Sequence, residues 1–438
     1  MRFHITHILC FMLLAFLFVS PHTVWAQEDE EPLFLFRGAR PLGLGNAYEA
    51  IADDIYALHY NPAGLAQINE RIFQFFVIRG RVTTDLFDEA STFKDFFEKT
   101  IDPLTNSDDP LTDPKLSKER EELVERAEDI LAKKLGLDLG LPSFGLIEPL
   151  TIAGNRASLA LSAYTQSVAN VRIDEQGLPW EDEVIAMLDN PVIYQVAGQL
   201  TLATALAVQV PINAPFLKSA NVGAGLRFIR RSTFTDADNP FAIEDVLNPD
   251  EFKETYFNLE EGDSFVDFAR DNFDTQTGYS FDLGTLLTPV DGLRVGLAWR
   301  NLTSRLKVES TDSAGETTKV NRHFPRNFTV AVAAKPFELL KTENQLLDVT
   351  VAASLDNPNG DNRLGEFELD KYTDHIHLGA EAIFWPKRWL SLGVRAGDNQ
   401  GFATFGATLR LLKFLNLDVA RYGDLESNWW VGSLEISF

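Results

Sequence analysis

One cysteine stands in the whole chain, Cys10, and it precedes most of an apolar leader. Residues 1–26 read as an export signal. Arg2 supplies a positive start, Ile8 to Ser20 is apolar but too short to cross a bilayer as a helix, and Val24 to Ala26 offers the small residues a signal peptidase reads. The exported chain would then carry no thiol, which excludes structural disulfides, thiolate metal sites and a lipid anchor on Cys10. Basic residues are scarce too. Without Arg2, 38 of the 39 basic residues face all 64 acidic ones, a net charge of −26. That excludes nucleic acid, because phosphate binding needs clustered Lys and Arg. After the leader no apolar run reaches the roughly 18 residues of a transmembrane helix. Two classes survive: a soluble periplasmic protein, or a barrel that crosses the outer membrane with strands. At a lipopolysaccharide surface so acidic a protein needs divalent cations nearby.

What is present decides between them. In the closing stretch WWVGSLEISF, Trp430, Gly432, Leu434, Ile436 and Phe438 point one way, and Trp429, Val431, Ser433, Glu435 and Ser437 the other. A membrane barrel alternates in this way, apolar toward lipid and polar toward the lumen. LRVGLAWRN, HIHLGAEAIFW, LSLGVRAG and FATFGATLRL repeat the pattern. Fourteen such segments start near Arg71, Leu141, Arg156, Val192, Ser219, Gln276, Gly292, His323, Gln345, Tyr372, Arg388, Gly401, Phe414 and Asn428. Each has roughly the 9–11 residues of a tilted membrane strand. Their connections alternate between short turns and a second set that holds every long loop, the asymmetry of a bacterial outer-membrane barrel. The expected fold is all-β: a transmembrane antiparallel β-barrel of about 14 strands with an N-terminal hatch and long, partly helical extracellular loops. The strand ending in Phe438 is the segment that barrel assembly machinery would engage. Trp385, Trp389, Trp429 and Trp430 fit an interfacial girdle.

The expected division is a signal peptide at 1–26, a hatch at 27–70 and a barrel at 71–438, with loop insertions at 85–140 and 235–275. Asp113 to Gly136 reads as an amphipathic helix in the first insertion, capped by Asp113, opened by Pro114 and stopped by Gly136. The second insertion sets six phenylalanines and Tyr256 among thirteen acidic residues, as a packed loop domain or a landing surface for an apolar ligand or a partner protein. Inward charges fall at Arg227, Arg294, Arg300, Glu381, Arg395, Arg410, Asp418 and Glu435. Mixed signs in one lumen would pair across strands and fix the hatch, and Asp53 and Asp54 are candidate partners for lumen arginines.

The stretch GLGNAYEAIADDIYALHYNPAGLA, Gly43 to Ala66, admits three chemistries. A dinucleotide loop needs a third glycine and a strand–turn–helix frame, and both are missing. Asp53 and Asp54 are adjacent and have no further ligand-spaced carboxylate, so calcium is not expected. The remaining reading is structural: Gly43 and Gly45 allow tight bends, Ala47, Ala50 and Ile51 pack inward, and Asn61-Pro62 turns the chain into strand one. Gly43, Gly45, Ala47, Ala52, Asp53, Asp54, Asn61, Pro62, Ala63 and Gly64, preceded by RGARPLGLG, closely resemble the N-terminal signature of the FadL superfamily, nearest its PorV-like and TraF-like branches. The resemblance implies a fourteen-stranded barrel plugged by its hatch. It is strong over residues 37–66 and architectural elsewhere.

The resemblance also implies passage of hydrophobic small molecules, such as fatty acids or hydrocarbons, across the lipopolysaccharide barrier. PorV-like members imply the alternative, a carrier or anchor for exported proteins. Catalysis is not expected: His375, His377 and Ser391 would need an orienting carboxylate within hydrogen-bond reach to make a nucleophilic site, inward histidines in a polar lumen are usually satisfied by neighbours, and two histidines do not make a metal centre. No cofactor is expected.

Overall fold

The computed structural model describes residues 37–83, 115, 118, 135–140, 143–173, 191–212, 214, 216–235, 241–242, 274–311, 317–342, 344, 346–357, 375–386, 388–412, 414–423 and 428–438. One antiparallel sheet closes on itself. Its strands are β1 (Ile72–Thr83), β2 (Leu135–Gly140 and Ser143–Ile152), β3 (Asn155–Ile173), β4 (Pro191–Val210), β5 (Ser219–Thr235), β6 (Asp274–Val290) and β7 (Leu293–Thr311). There follow β8 (Thr317–Arg322 and Asn327–Ala334), β9 (Leu347–Asp356), β10 (Ile376–Phe384), β11 (Leu390–Asn399), β12 (Phe402–Leu411), β13 (Leu415–Gly423) and β14 (Asn428–Ser437). Both pieces of β2 pair with β1 and β3, and both pieces of β8 pair with β7, so each is one interrupted strand. The two-residue strand Phe241–Ala242 only lies against the start of β4. The wall is therefore a closed fourteen-stranded barrel.

β14 seals against β1 from Gln74↔Ser437 to Thr83↔Trp429. Phe438 extends the seal: its N–H donates to the Phe73 carbonyl at 2.8 Å, and the Phe73 N–H donates back at 2.9 Å. No strand edge is left open, as a membrane barrel requires. The alternation read from sequence holds in space. Trp430, Val419 and Phe405 are exposed on the outer wall, while Ser433, Glu435, His377 and Glu381 are buried inside; Trp429 is buried with them, packed with Ala39 and Leu42, and so leaves the girdle expected of it.

Wall height departs from the expected 9–11 residues. Strands β9 to β14 have 9 or 10 residues, but β3 and β7 have 19, β4 has 20, and β5 and β6 have 17. Twenty residues at about 3.3 Å each span roughly twice a membrane strand. The turns at one end stay short, so the surplus rises at the long-loop end as a one-sided collar over β3 to β7.

The helix expected at Asp113 to Gly136 is corrected at its end. Leu135 and Gly136 belong to β2, paired with Val171 and Asn170, so Gly136 stops no helix and β2 begins inside the stretch read as insertion. Leu135, Leu137 and Leu139 alternate at period two, and that pattern extends the wall. Lys115 and Lys118 are in helical geometry. The remainder of that helix, the signal segment, residues 27–36 of the expected hatch and the aromatic insertion lie outside the described residues, apart from Thr235, Phe241–Ala242, Asp274 and Thr275.

Candidate functional site

The hatch is built from α1 (Ala39–Gly43), α2 (Ala57–Tyr60) and a 3-10 helix (Pro62–Gln67). Asn61 sets the last of these. Its Oδ1 accepts the Ala63 N–H at 3.1 Å as an N-cap, and Pro62 occupies the first helical position, where no donor is needed. Asn61 Nδ2 also donates to the Glu49 carbonyl at 2.9 Å and to Thr285 of β6 at 3.1 Å, so one side chain ties hatch to wall. Ala52 and Ala57 are buried in the same core as Tyr48, Ile55 and Leu58, and Ala47 and Ala63 are buried as well.

The glycines serve close approach, not phosphate binding. Gly45 has φ +61°, and a Cβ there would lie 2.2 Å from the Leu378 carbonyl. The wall answers with glycines of its own. A Cβ on Gly379 would lie 2.3 Å from Leu44 O, on Gly284 2.1 Å from Asn61 Oδ1, on Gly223 2.4 Å from Pro62 C, and on Gly296 2.8 Å from Glu49 O. Hatch and wall meet backbone against backbone on β5, β7 and β10, and on β6 the Asn61 and Pro62 side chains lie against Gly284.

Arg40 on α1 is the electrostatic hub. Its Nη1 donates to Asp53 Oδ1 at 2.7 Å, Asp54 Oδ2 at 2.8 Å and Tyr48 OH at 2.8 Å. Its Nε and Nη2 clasp Glu381 of β10 at 3.0 and 2.8 Å. Glu381 accepts from Arg395 Nε at 2.7 Å, and Arg395 Nη1 donates to Asp418 at 3.0 Å, with the Thr408 hydroxyl bonded to both Arg395 and Asp418. The chain therefore runs hatch, β10, β11, β13. This corrects one expectation in part: the ion pairs of Asp53 and Asp54 are made by the hatch's own Arg40, the wall meets that hub with the Glu381 carboxylate, and the lumen's Arg294 adds its charge at Asp53. Arg294 reaches the hatch through the Ile51 carbonyl at 3.4 Å.

Other predicted positions sort clearly. Arg300 lies 3.4 Å from both Glu49 of the hatch and Asp356. Glu435 accepts from Tyr56 OH at 2.8 Å and from Gln74 at 2.6 Å. Arg227 pairs within the wall, with Asp282 at 2.7 Å. Arg410 is exposed and bonds Asn416 of the next strand at 2.8 Å, so it stands outside the buried network. His377 Nδ1 lies 3.1 Å from the Gly45 carbonyl and 2.8 Å from Asn399 Oδ1, and Ser391 donates to the Phe384 carbonyl at 3.1 Å. Both serve structure. No group of three or more candidate metal ligands occurs among the described residues.

Within the hatch, burial raises both Asp53 and Asp54. At Asp53 the Arg40 charge outweighs that and holds the carboxyl below its ordinary range, whereas Asp54 stays above it. His59 stands edge-on to Tyr164 at 5.3 Å, and burial, then Arg227 and Arg79, push its imidazole down to about 3. A hatch released into water would let His59 protonate near its ordinary 6.5. Between those values the released state binds more protons, so acidification favours release. Glu49 and Asp54, both raised, act oppositely. His59→Phe is therefore expected to remove the acid-promoted part of hatch opening, read as amide exchange at residues 57–60 at pH 5 and 7.5. An unchanged pH trend in the variant would contradict this.

The family described as "F plasmid transfer operon, TraF, protein" matches residues 58–341. No curated protein matches. Among solved structures, the fold is similar to the toluene transporter TbuX of Ralstonia pickettii, at 10% identity, covering 92% of this chain and 97% of that one, with a TM-score of 0.47. The P. putida toluene transporter TodX matches at 10% identity over 92% and 96%, TM-score 0.42. A Pseudomonas aeruginosa FadL homologue matches at 12% over 94% and 99%, TM-score 0.44. Likeness this remote carries no argument about what the lumen holds.

Proposed function

Since the chain belongs to the TraF family and closes a hatch inside a fourteen-stranded transmembrane barrel, we propose that it is a gated outer-membrane channel for hydrophobic small molecules. The observation that carries this reading is how the hatch is held. Among the described residues it contributes no strand to the sheet; side-chain ion pairs and hydrogen bonds, close backbone approach and apolar packing join it to the wall. A plug of that kind can move while every wall hydrogen bond stays made. Lipopolysaccharide slows apolar molecules, so a protein route has a purpose, and burying apolar surface at about 25 cal/mol per Å² binds an acyl chain with few polar contacts. Export by the N-terminal signal, contact with lipopolysaccharide, and assembly through the Phe438 strand belong to the same proposal.

A second reading, a PorV-like carrier or anchor for exported proteins, is favoured by one observation: the family takes its description from a transfer operon. Native mass spectrometry of the protein, extracted from its own membrane in mild detergent, separates the two. The channel reading expects a small apolar adduct released as a fatty acid or hydrocarbon. A bound polypeptide with no such adduct would replace it by the carrier reading.

A further inference from the structure

Below the collar, three wall residues keep polar atoms that nothing described satisfies. Arg227 on β5 is 1% exposed. Its Nη2 donates to Asp282 Oδ1 at 2.7 Å, Asn301 Oδ1 at 2.9 Å and Ser280 Oγ at 3.2 Å. Its Nε and Nη1 have no hydrogen-bond partner among the described residues, and neither have Asp282 Oδ2 and Ser162 Oγ. A purely structural ion pair would be expected to fill its remaining positions, because buried polar groups are normally bonded.

Register brings these atoms together. Ser162 on β3, Ala203 on β4, Arg227 on β5 and Ser280 on β6 stand side by side in one row. Asp282 lies one step toward the short-turn end, opposite Gly225. Alanine and glycine leave that stretch of wall bare. At Gly225 the three atoms nearest an added Cβ are all wall atoms, at 3.7 to 3.8 Å, whereas Pro62 and Ala63 crowd the Gly223 position to 2.4 Å. One step toward the long-loop end the row is Tyr164, Thr201, Ile229, Gly278 and Leu306, apolar but for Thr201, whose hydroxyl accepts from Gln199. Ile229 and Leu306 cluster there with Val308 and Phe324. His59 of the hatch, packed on Tyr164, covers the boundary between the polar and apolar rows.

We propose that Arg227, Asp282 and Ser162 form a head-group site for amphiphiles whose neutral head both donates and accepts hydrogen bonds, an alcohol or a phenol, with the apolar body against Ile229, Leu306 and Phe324. The proposal deepens the channel reading and rests on it. The ligand oxygen accepts from the free Arg227 nitrogens, and its O–H donates to Asp282 Oδ2. A hydrocarbon would leave all these atoms unpaired, and an ionised carboxylate would meet the Asp282 charge. These atoms are covered while the hatch is seated, so the head binds the displaced state and draws the equilibrium toward it.

The test uses the full chain in lipid nanodiscs, with 4-butylphenol, butylbenzene and 4-butylbenzoate as probes and bound probe counted by native mass spectrometry. The phenol is expected to bind about tenfold more tightly than the hydrocarbon, the worth of one or two net hydrogen bonds, and to outbind the benzoate. Arg227→Met with Asp282→Leu removes both charges together, and Ser162→Ala leaves the pair intact. The double change should erase the phenol preference and the single one weaken it. Equal binding of phenol and butylbenzene, or a preference that survives in the double variant, would overturn the site. Butylbenzene uptake by cells bearing the wild-type barrel separates the failures. Uptake without phenol preference overturns this site alone, and no uptake of any probe overturns the channel reading as well.

Discussion

Arg40→Met is expected to unseat the hatch and leave the barrel standing. Arg40 is the only cation bonded to both Asp53 and Asp54 among the described residues, and it is one of two on Glu381. Methionine keeps the stem and removes the charge, so three carboxylates are left close together. Breaking a buried pair by removing one partner costs about 3–5 kcal/mol. Here the lower end applies, because the Arg40 side chain keeps 18% exposure and the carboxylates can take up protons or water. The wall has no such dependence: Glu381 retains Arg395, and the β10–β11 ladder does not involve Arg40. The variant should therefore show frequent openings in planar bilayers and faster proteolysis within residues 37–68, with the slow electrophoretic unfolding of an intact barrel unchanged. Wild-type conductance and wild-type protection would show that Arg40 is not the latch.

The second large effect is steric. Gly223→Ala combined with Gly379→Ala puts a methyl into the hatch from two sides. The nearest atoms are Pro62 C at 2.4 Å on one side and Leu44 O at 2.3 Å on the other, and both are backbone that no rotamer can move away. Overpacking costs typically 1–3 kcal/mol per site, and the two strain terms push the same segment. Alanine is tolerated within a strand, and each position keeps its ladder partners, Ala207 for Gly223 and Ala352 for Gly379. The double variant should fold, insert and leak, and it should respond to acid less than wild type because the hatch is already displaced. A tight barrel with this pair of changes would mean that the hatch approaches the wall less closely than described.

Much of the architecture was legible because period-two alternation is a local property. All fourteen strands announced themselves by it, and the terminal WWVGSLEISF gave the seal. Wall height was less visible. In β4 the alternation passes through Gln195 and Gly198 with weak contrast, since a collar above the bilayer no longer needs an apolar outer face. The hatch motif was legible as a set of small residues and a capped turn, because glycine and Asn-Pro act through their own backbones. Its partners were not. Arg40 and Glu381 are 341 positions apart, and nothing local to RGAR says which strand will face it. Alternation sorts the wall arginines onto the inner face and so makes them the visible candidates for Asp53 and Asp54, while Arg40 lies outside the alternating segments. Asp282 was detectable in principle: in DLGTLL it shares the inward phase of Gly284, which would have paired it with Arg227.

The central claim is that the hatch must move for anything to pass. Its most direct test is a tether. Cys10 is the only native cysteine, so Ile55→Cys with Gly145→Cys can join the hatch to β2, where a Cβ on Gly145 would lie 3.7 Å from the Ile55 Cβ, the separation a disulfide spans. Uptake of the hydrophobic dye N-phenylnaphthylamine is then followed in cells carrying the variant, oxidised and after reduction. The account predicts uptake at the background of barrel-free cells when the tether is closed, and recovery toward the wild-type rate when it is reduced. Equal uptake in both states, with the disulfide shown to be formed, would contradict it.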